Sequence, residues 1–308
     1  MKSNQYKISA PDGVAIHVYE WLPEDTGMIK GVIQIAHGMA EHAGRYEDLA
    51  GFLTSNDFAV YANDHRGHGK TAGNIENVGF VSSKNGWEKM VLDLHLVSRH
   101  VKEKNSGKPL YVLGHSMGSY LVRKYISDSG TKIQGAIISG TGDSPGILGH
   151  VGVFLTRVML LFYPAKSPSQ LMYDLSFGAF NKPFKPNRTR FDWLSRDNDQ
   201  VDKYVDDPFC GGISSISFFR DLLNGVFLVT SQKTINNTPK DLPILIFSGD
   251  NDPAGNNGKG VIKVHNKFKK AGIKNLTLKL FTGGRHEMLN ETNRDEVYRF
   301  VLDWLKLN

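Results

Sequence analysis

The sequence contains a single cysteine, Cys210, so no disulfide can form within the chain. Disulfide-stapled secreted scaffolds are thereby excluded, and the lone thiol is expected to be buried and inert in a reducing compartment. Long apolar runs are missing as well. No stretch reaches the roughly 18 residues that a membrane span needs, and the opening MKSNQYKISAPDG lacks the apolar core of a signal peptide. A cytoplasmic location is the expectation. Acidic residues are absent between Pro253 and Arg285, where seven lysines fall, a local source of the net charge of +6. A solvated helix face is the first reading of these lysines, with contact to an anionic membrane surface as the alternative. No nucleic-acid-binding motif accompanies them, so no nucleic-acid partner is expected. H-E-x-x-H and paired-cysteine motifs are also lacking, and the eleven histidines are scattered, so no metal centre is expected.

What is present is the composition of a folded globular chain, with 40% apolar and 22% charged residues. A length of 308 residues suits one α/β domain with an insertion, or two small domains. Apolar runs at residues 31–36, 58–62, 110–114, 133–139, 243–249 and 276–281 read as strands buried on both faces. Helical stripes alternate with them, such as Trp87, Met90, Val91, Leu94, Val97 and Val101, and Val297, Phe300, Val301 and Trp304. Such alternation predicts a mostly parallel sheet with helices on both faces. Ahead of it, two alternating runs joined at Pro11-Asp12-Gly13 read as a hairpin. The alternation stops at residues 143–242, which hold helical fragments and proline-spaced segments. We read 1–142 and 243–308 as the core domain and 143–242 as a mainly helical cap over one end of the sheet.

In a parallel sheet, ligands collect beyond the C-terminal strand ends, where loops and helix N-termini supply polar groups. GHSMG (114–118) stands at such an end, after a strand and before a helix, which is the context of a nucleophile elbow carrying Ser116. An alcohol needs a base, and the base needs a partner to fix its tautomer. His286, in GGRHEMLNE after the last strand, is placed to be that base. Its partner acid is expected at the end of the preceding strand, where Asp250 and Asp252 compete; periodicity does not separate them, and the other would shape the turn. The oxyanion of an acyl-transfer intermediate would be met by the backbone amides of Met117, which follows the serine, and of Met39, in the loop after an early strand.

The motifs HGMAEHAGRY (37–46), DHRGHGKT (64–71), GHSMGS, SGDNDP and GGRHEMLNE, in this order, resemble the monoacylglycerol lipase and lysophospholipase branch of the α/β-hydrolase fold, a serine aminopeptidase S33-type family. The segment LSRDNDQVDKYVDDPF (194–209) is similar to its cap. The resemblance implies an α/β-hydrolase fold, a movable lid over an acyl-chain tunnel, the triad Ser116, Asp252 and His286, and no cofactor. It favours Asp252 because family members carry the acid three residues after a glycine, here Gly249. It leaves Asp64, Arg66 and His68 as supports of the oxyanion loop, and Glu41 and His42 as residues that orient it. Ser119 stands where the branch commonly has a glycine, and substrate choice would be made in the cap. The activity implied is hydrolysis of single-chain lipid esters, monoacylglycerols or lysophospholipids, through an acyl-enzyme. A broader carboxylesterase or thioesterase, or a serine aminopeptidase, could use the same residues. A capped scaffold that binds a hydrophobic ligand without turnover is the non-enzyme alternative.

Overall fold

Fully apolar strands need cover on both faces, and the chain supplies it. In the structure, a computed structural model that describes residues 1–128 and 132–308, eight strands form one sheet. These are β1 (Lys2–Ser9), β2 (Ala15–Leu22), β3 (Gly31–Ala36), β4 (Phe58–Asn63), β5 (Leu110–His115), β6 (Gly135–Ser139), β7 (Ile244–Gly249) and β8 (Leu276–Phe281). Their order is β1-β2-β4-β3-β5-β6-β7-β8. The β1–β2 hairpin turns at Pro11-Asp12-Gly13 and joins β4 antiparallel, and every other pairing is parallel. Every residue of β3 to β7 is buried. β8 departs from the expectation of two covered faces: five of its six residues are half-exposed. It is the sheet's edge, paired with β7 alone, and Lys279 in its middle is the kind of residue that blunts an edge.

Among the described residues there are ten α-helices: α1 (Glu47–Thr54), α2 (Gly86–Lys104), α3 (Met117–Ser127), α4 (Gly146–Phe162), α5 (Gln170–Phe177), α6 (Asn198–Asp206), α7 (Ile216–Thr230), α8 (Gln232–Ile235), α9 (Lys259–Lys270) and α10 (Arg294–Leu307). On one face the α2 stripe Trp87, Met90, Leu94, Val97 and Val101 packs with Leu121, Val122 and Tyr125 of α3. On the other, Leu49 and Leu53 of α1 meet Val297, Val301 and Trp304 of α10. Each such side chain contributes about 1.5–3 kcal/mol by leaving water.

The stretch 143–242 is helical, and its parts pack differently. Phe191, Trp193, Leu194, Val201 and Tyr204 form a separate small core over the strand ends. α7 lies on α2 and α3 and lends Phe218 and Val229 to the core beneath the sheet. α4 rests on α7 through Gly149, Gly152, Val153 and Thr156, while its other face is open. Among the described residues, no helix is long and apolar enough to cross a membrane. The lysine run resolves mainly into the outer face of α9, where Lys259, Lys263, Lys269 and Lys270 are exposed.

Candidate active site

β5 ends at His115 and α3 begins at Met117, which leaves Ser116 alone on the turn with φ 51° and ψ −118°. A positive φ is strained for a residue bearing a Cβ. The flanking glycines make the turn feasible. A Cβ on Gly114 would lie 2.3 Å from the Gly118 carbonyl oxygen, and one on Gly118 would lie 2.0 Å from that of Ala36. Their absence lets α3 start directly on the end of β5 and against β3. Ser116 caps no helix amide, and its half-buried side chain faces a cavity. This is the geometry of a nucleophile elbow. Ser119, in the place of a glycine, donates its hydroxyl to the Ser116 carbonyl at 2.6 Å.

The ends of β7 and β8 supply the other half. His286 Nδ1–H donates to both carboxylate oxygens of Asp252, each at 3.0 Å, and both residues are buried. Asp252 also accepts from Ser248 Oγ at 3.0 Å and from the Ala254 amide at 2.9 Å. Asp250 instead accepts the Gly283 amide at 2.7 Å, a turn contact. The structure thus separates two aspartates that strand periodicity left equivalent, with Asp252, which the family resemblance favoured, at the imidazole. Burial alone would lower the pKa of His286, but the charge and hydrogen bond of Asp252 outweigh it and hold the imidazole above its ordinary value. Burial would raise Asp252, and His286 with the other donors keeps it below the usual carboxylate range. His286 lies between the rings of His115 and Trp193, at centroid distances of 4.8 and 5.0 Å. Burial and the neighbouring His286 push His115 down to about 3, so it stays neutral beside that imidazole.

Ser116 and His286 open onto one cavity of about 930 Å³, open space at its mouth included. Met39 and Met117 line it too. The Met117 amide opens α3 and has no partner along the helix. Tyr173, Phe177, Phe180, Phe191 and Trp193 form the apolar wall. Glu41 and Glu287 are the charged residues at its base, and no lysine or arginine among the described residues lines it.

Both carboxylates are already engaged. Glu41 Oε1 accepts from the Gly38 amide at 2.5 Å and from the Tyr46 hydroxyl at 2.9 Å, while Oε2 accepts from Arg45 at 2.7 Å. Arg45 forks onto both oxygens of Glu287, at 2.7 Å each. Despite its burial, Glu287 is held at about 2, chiefly by the charge of Arg45, whereas burial raises Glu41. Sequence reasoning assigned Glu41 an orienting place and missed Arg45 and Glu287. The one available signal was Glu41-x-x-x-Arg45, an i,i+4 pair.

DHRGHG forms the turn beneath this loop. Asp64 accepts from the Ala43 and Lys70 amides at 2.8 and 2.7 Å, and Arg66 pairs with Asp12 and Asp93. His37, His65 and His68 cluster there, with His37 and His65 centroids 4.2 Å apart. Neither ring nitrogen of His65 has a hydrogen-bond partner. Burial pulls His65 to about 3 and His68 to about 4, and His37 well below its ordinary value. In the unfolded chain these residues take protons near pH 6.5. Between that pH and about 3 the folded state binds fewer protons, so stability falls as the pH drops through this window. The buried His17 and His115, likewise pulled down to about 4 and about 3, add to this trend, while the raised pKa values of His286, Glu41, Asp64 and Asp93 oppose it. The Tm is therefore expected to decline steadily from pH 7 to pH 4.5 in thermal melts, and a flat Tm would contradict the assignment of these imidazoles as buried and neutral.

His42, Asp207 and Cys210 bring their donor atoms within 4.8 Å of one another, a spacing compatible with a metal ion. In the metal-free chain these three residues are engaged as follows. His42 Nδ1 accepts the Gly44 amide at 3.1 Å, so the ring proton sits on Nε2 and is donated to Asp207 at 2.8 Å. Burial raises the Cys210 thiol far above neutrality, which keeps it protonated and inert.

A mostly parallel sheet with helices on both faces, a serine on a strained strand-to-helix turn after β5 and an Asp–His pair at the ends of β7 and β8 define an α/β-hydrolase fold. Residues 27–293 match the family described as serine aminopeptidase, S33, and the chain belongs to that family. It is 29% identical over 290 residues to the human monoglyceride lipase, covering 91% of this chain and 82% of that protein. It is 26% identical over 305 residues to a monoacylglycerol lipase of Mycolicibacterium smegmatis, covering 98% and 96% of the two chains. Among solved structures it is similar to a thermostable carboxyl esterase from Bacillus coagulans in complex with glycerol, with a TM-score of 0.91, 26% identity, and 99% and 98% of the chains covered. These relatives make the chain a hydrolase of the lipase and esterase type.

Proposed function

We propose that the chain is a serine ester hydrolase of single-chain lipid esters and that it prefers the neutral headgroup of a monoacylglycerol to the phosphate of a lysophospholipid. The observation that carries this reading is Ser116 on its elbow, sharing an aromatic-walled cavity with an imidazole held by Asp252. The Ser116 hydroxyl attacks the ester carbonyl carbon as His286 Nε2 takes its proton. The amides of Met39 and Met117 donate to the oxyanion. Collapse expels the glycerol alkoxide, which receives the proton back from His286 and leaves an acyl-serine. Water then attacks this ester, again through His286, and the fatty acid departs. Asp252 holds the productive tautomer throughout. No step calls for a cofactor.

Two features support the choice of substrate. The aromatic wall of the cavity suits an acyl chain, and among the described lining residues the two carboxylates, Glu41 and Glu287, are both bound to Arg45. A phosphate brought there meets two acidic side chains and, among the described lining residues, no lysine or arginine to pair with it. A peptide amine, the group an aminopeptidase must hold, finds both carboxylates already occupied by Arg45 and the Gly38 amide. The second feature is the open face of α4, where Ile147 and Leu148 are 82% and 80% exposed and Phe154, Leu161 and Phe162 are exposed as well. With 143–242 as a lid, this face suits transient contact with a lipid surface.

The test is hydrolysis of a panel by the wild-type chain. Monoacylglycerols are expected to exceed lysophosphatidic acids of the same acyl chain by about 10-fold or more in kcat/KM, the scale of one like-charge contact at a partly buried site. A preference for lysophosphatidic acid would overturn the headgroup assignment. Faster turnover of acetyl or butyryl esters would instead point to a broader carboxylesterase. A fluorophosphonate probe is expected to label Ser116, as read by peptide mass spectrometry, and an unlabelled chain would favour a binding scaffold.

A further inference from the structure

Contacts from one short segment of residues 204–211 converge on the loop that follows Met39. The Ala40 carbonyl accepts the Tyr204 hydroxyl at 2.8 Å and the Gly211 amide at 2.9 Å. His42 donates to Asp207 at 2.8 Å, and the Arg45 guanidinium carbon lies 4.7 Å from the centre of the Tyr204 ring. Ala40 itself has φ 55°, a conformation a non-glycine residue adopts rarely and keeps only when its surroundings hold it. On the inner side the same loop is fixed by Glu41, which accepts the Gly38 amide and binds Arg45. Arg45 in turn grips Glu287, the residue after His286.

We infer that Tyr204 is a positioning residue: its hydroxyl, on the Ala40 carbonyl, fastens the 204–211 segment to the oxyanion loop and thereby aims the Met39 amide. This inference rests on the hydrolase reading above. It goes beyond it in making turnover depend on the seating of that segment. Tyr204 is buried and lines the cavity, so two roles must be told apart. A wall residue alters how tightly substrate is held. A residue that shapes the oxyanion loop alters the transition state and leaves ground-state binding largely as it was.

The variant Tyr204→Phe removes one oxygen and leaves the ring over Arg45. Its kcat on p-nitrophenyl butyrate is expected to fall about 10- to 100-fold, short of or equal to the loss of a whole oxyanion donor, with KM changed less than about 3-fold. A trifluoromethyl ketone, which forms an oxyanion on reaction with Ser116, should lose affinity by the same factor as kcat/KM. The affinity of the product fatty acid should not change. Asp207→Ala, which releases His42 from the same loop, should lower kcat in the same direction, and thermal melts of both variants should show them folded. An active wild type with Tyr204→Phe unchanged in kcat and in ketone affinity overturns this inference alone, and so does a change confined to KM. A wild type inert on every ester overturns the hydrolase reading and this inference with it.

Discussion

Ser116→Ala is expected to abolish ester turnover, lowering kcat by about 10⁵- to 10⁶-fold, and to leave the fold intact. The size of the loss follows from the role proposed for the hydroxyl: without it no acyl-enzyme forms, and His286 and Asp252 have no nucleophile to activate. What remains is attack by water in a site that still binds substrate and still presents its amides, worth about 10³- to 10⁴-fold over solution in comparable triads. The fold survives because the side chain supports nothing. It caps no amide of α3, while the Ser116 backbone keeps its bonds to the Ser139 carbonyl and from the Ser119 hydroxyl. Alanine tolerates the positive φ about as poorly as serine does, so the strain is unchanged. A melt within about 2 °C of wild type, with no labelling by a fluorophosphonate, is the expected pair of results. Retained turnover on p-nitrophenyl esters would remove Ser116 from the mechanism.

Asp252→Asn is expected to cost about 10⁴-fold in kcat near neutral pH, and Asp250→Asn less than about 3-fold. The carboxylate accepts from His286 Nδ1, which leaves Nε2 free to take a proton from Ser116. An amide in its place can present its N–H to Nδ1, and the ring proton then moves to Nε2, where it blocks the base. Asp250 accepts only the Gly283 amide among these groups, and its loss loosens a turn. The same pair predicts a shift in pH dependence. Since Asp252 holds His286 above its ordinary pKa, the acid limb of kcat/KM for the wild type should lie above pH 6.5, and the residual activity of Asp252→Asn should carry that limb to lower pH. Equal losses in the two variants would show that the acid had been misassigned.

Much of this site was readable in the sequence because it is written in local patterns. Six apolar runs gave the parallel strands, and a serine between two glycines at the end of one of them gave the elbow. Other features depend on distance. Arg45 and Glu287 are 242 residues apart in sequence, and nothing about either residue announces the other. Asp250 and Asp252 follow the same strand, and only the path of the β8 loop decides which one meets the imidazole. The aromatic cluster of Phe191, Trp193 and Tyr204 has no periodicity, since it is held by turns and short helices rather than by one amphipathic face. β8 reads as buried from its leucines, yet its position in the strand order, which sequence does not disclose, leaves it at the margin.

The pairing of β6 with β7 across residues 140–243 also bears on how the molecule comes into being. Translation delivers the elbow early, with the first strands of the sheet, whereas the Asp–His pair emerges only after the whole helical excursion has been made. Closing so long a span is a late and slow event in folding. Through most of synthesis the nascent chain therefore carries a serine with no base beside it. On the mechanism proposed above, turnover requires the docked C-terminal strands, so a stalled or truncated product would be silent toward esters.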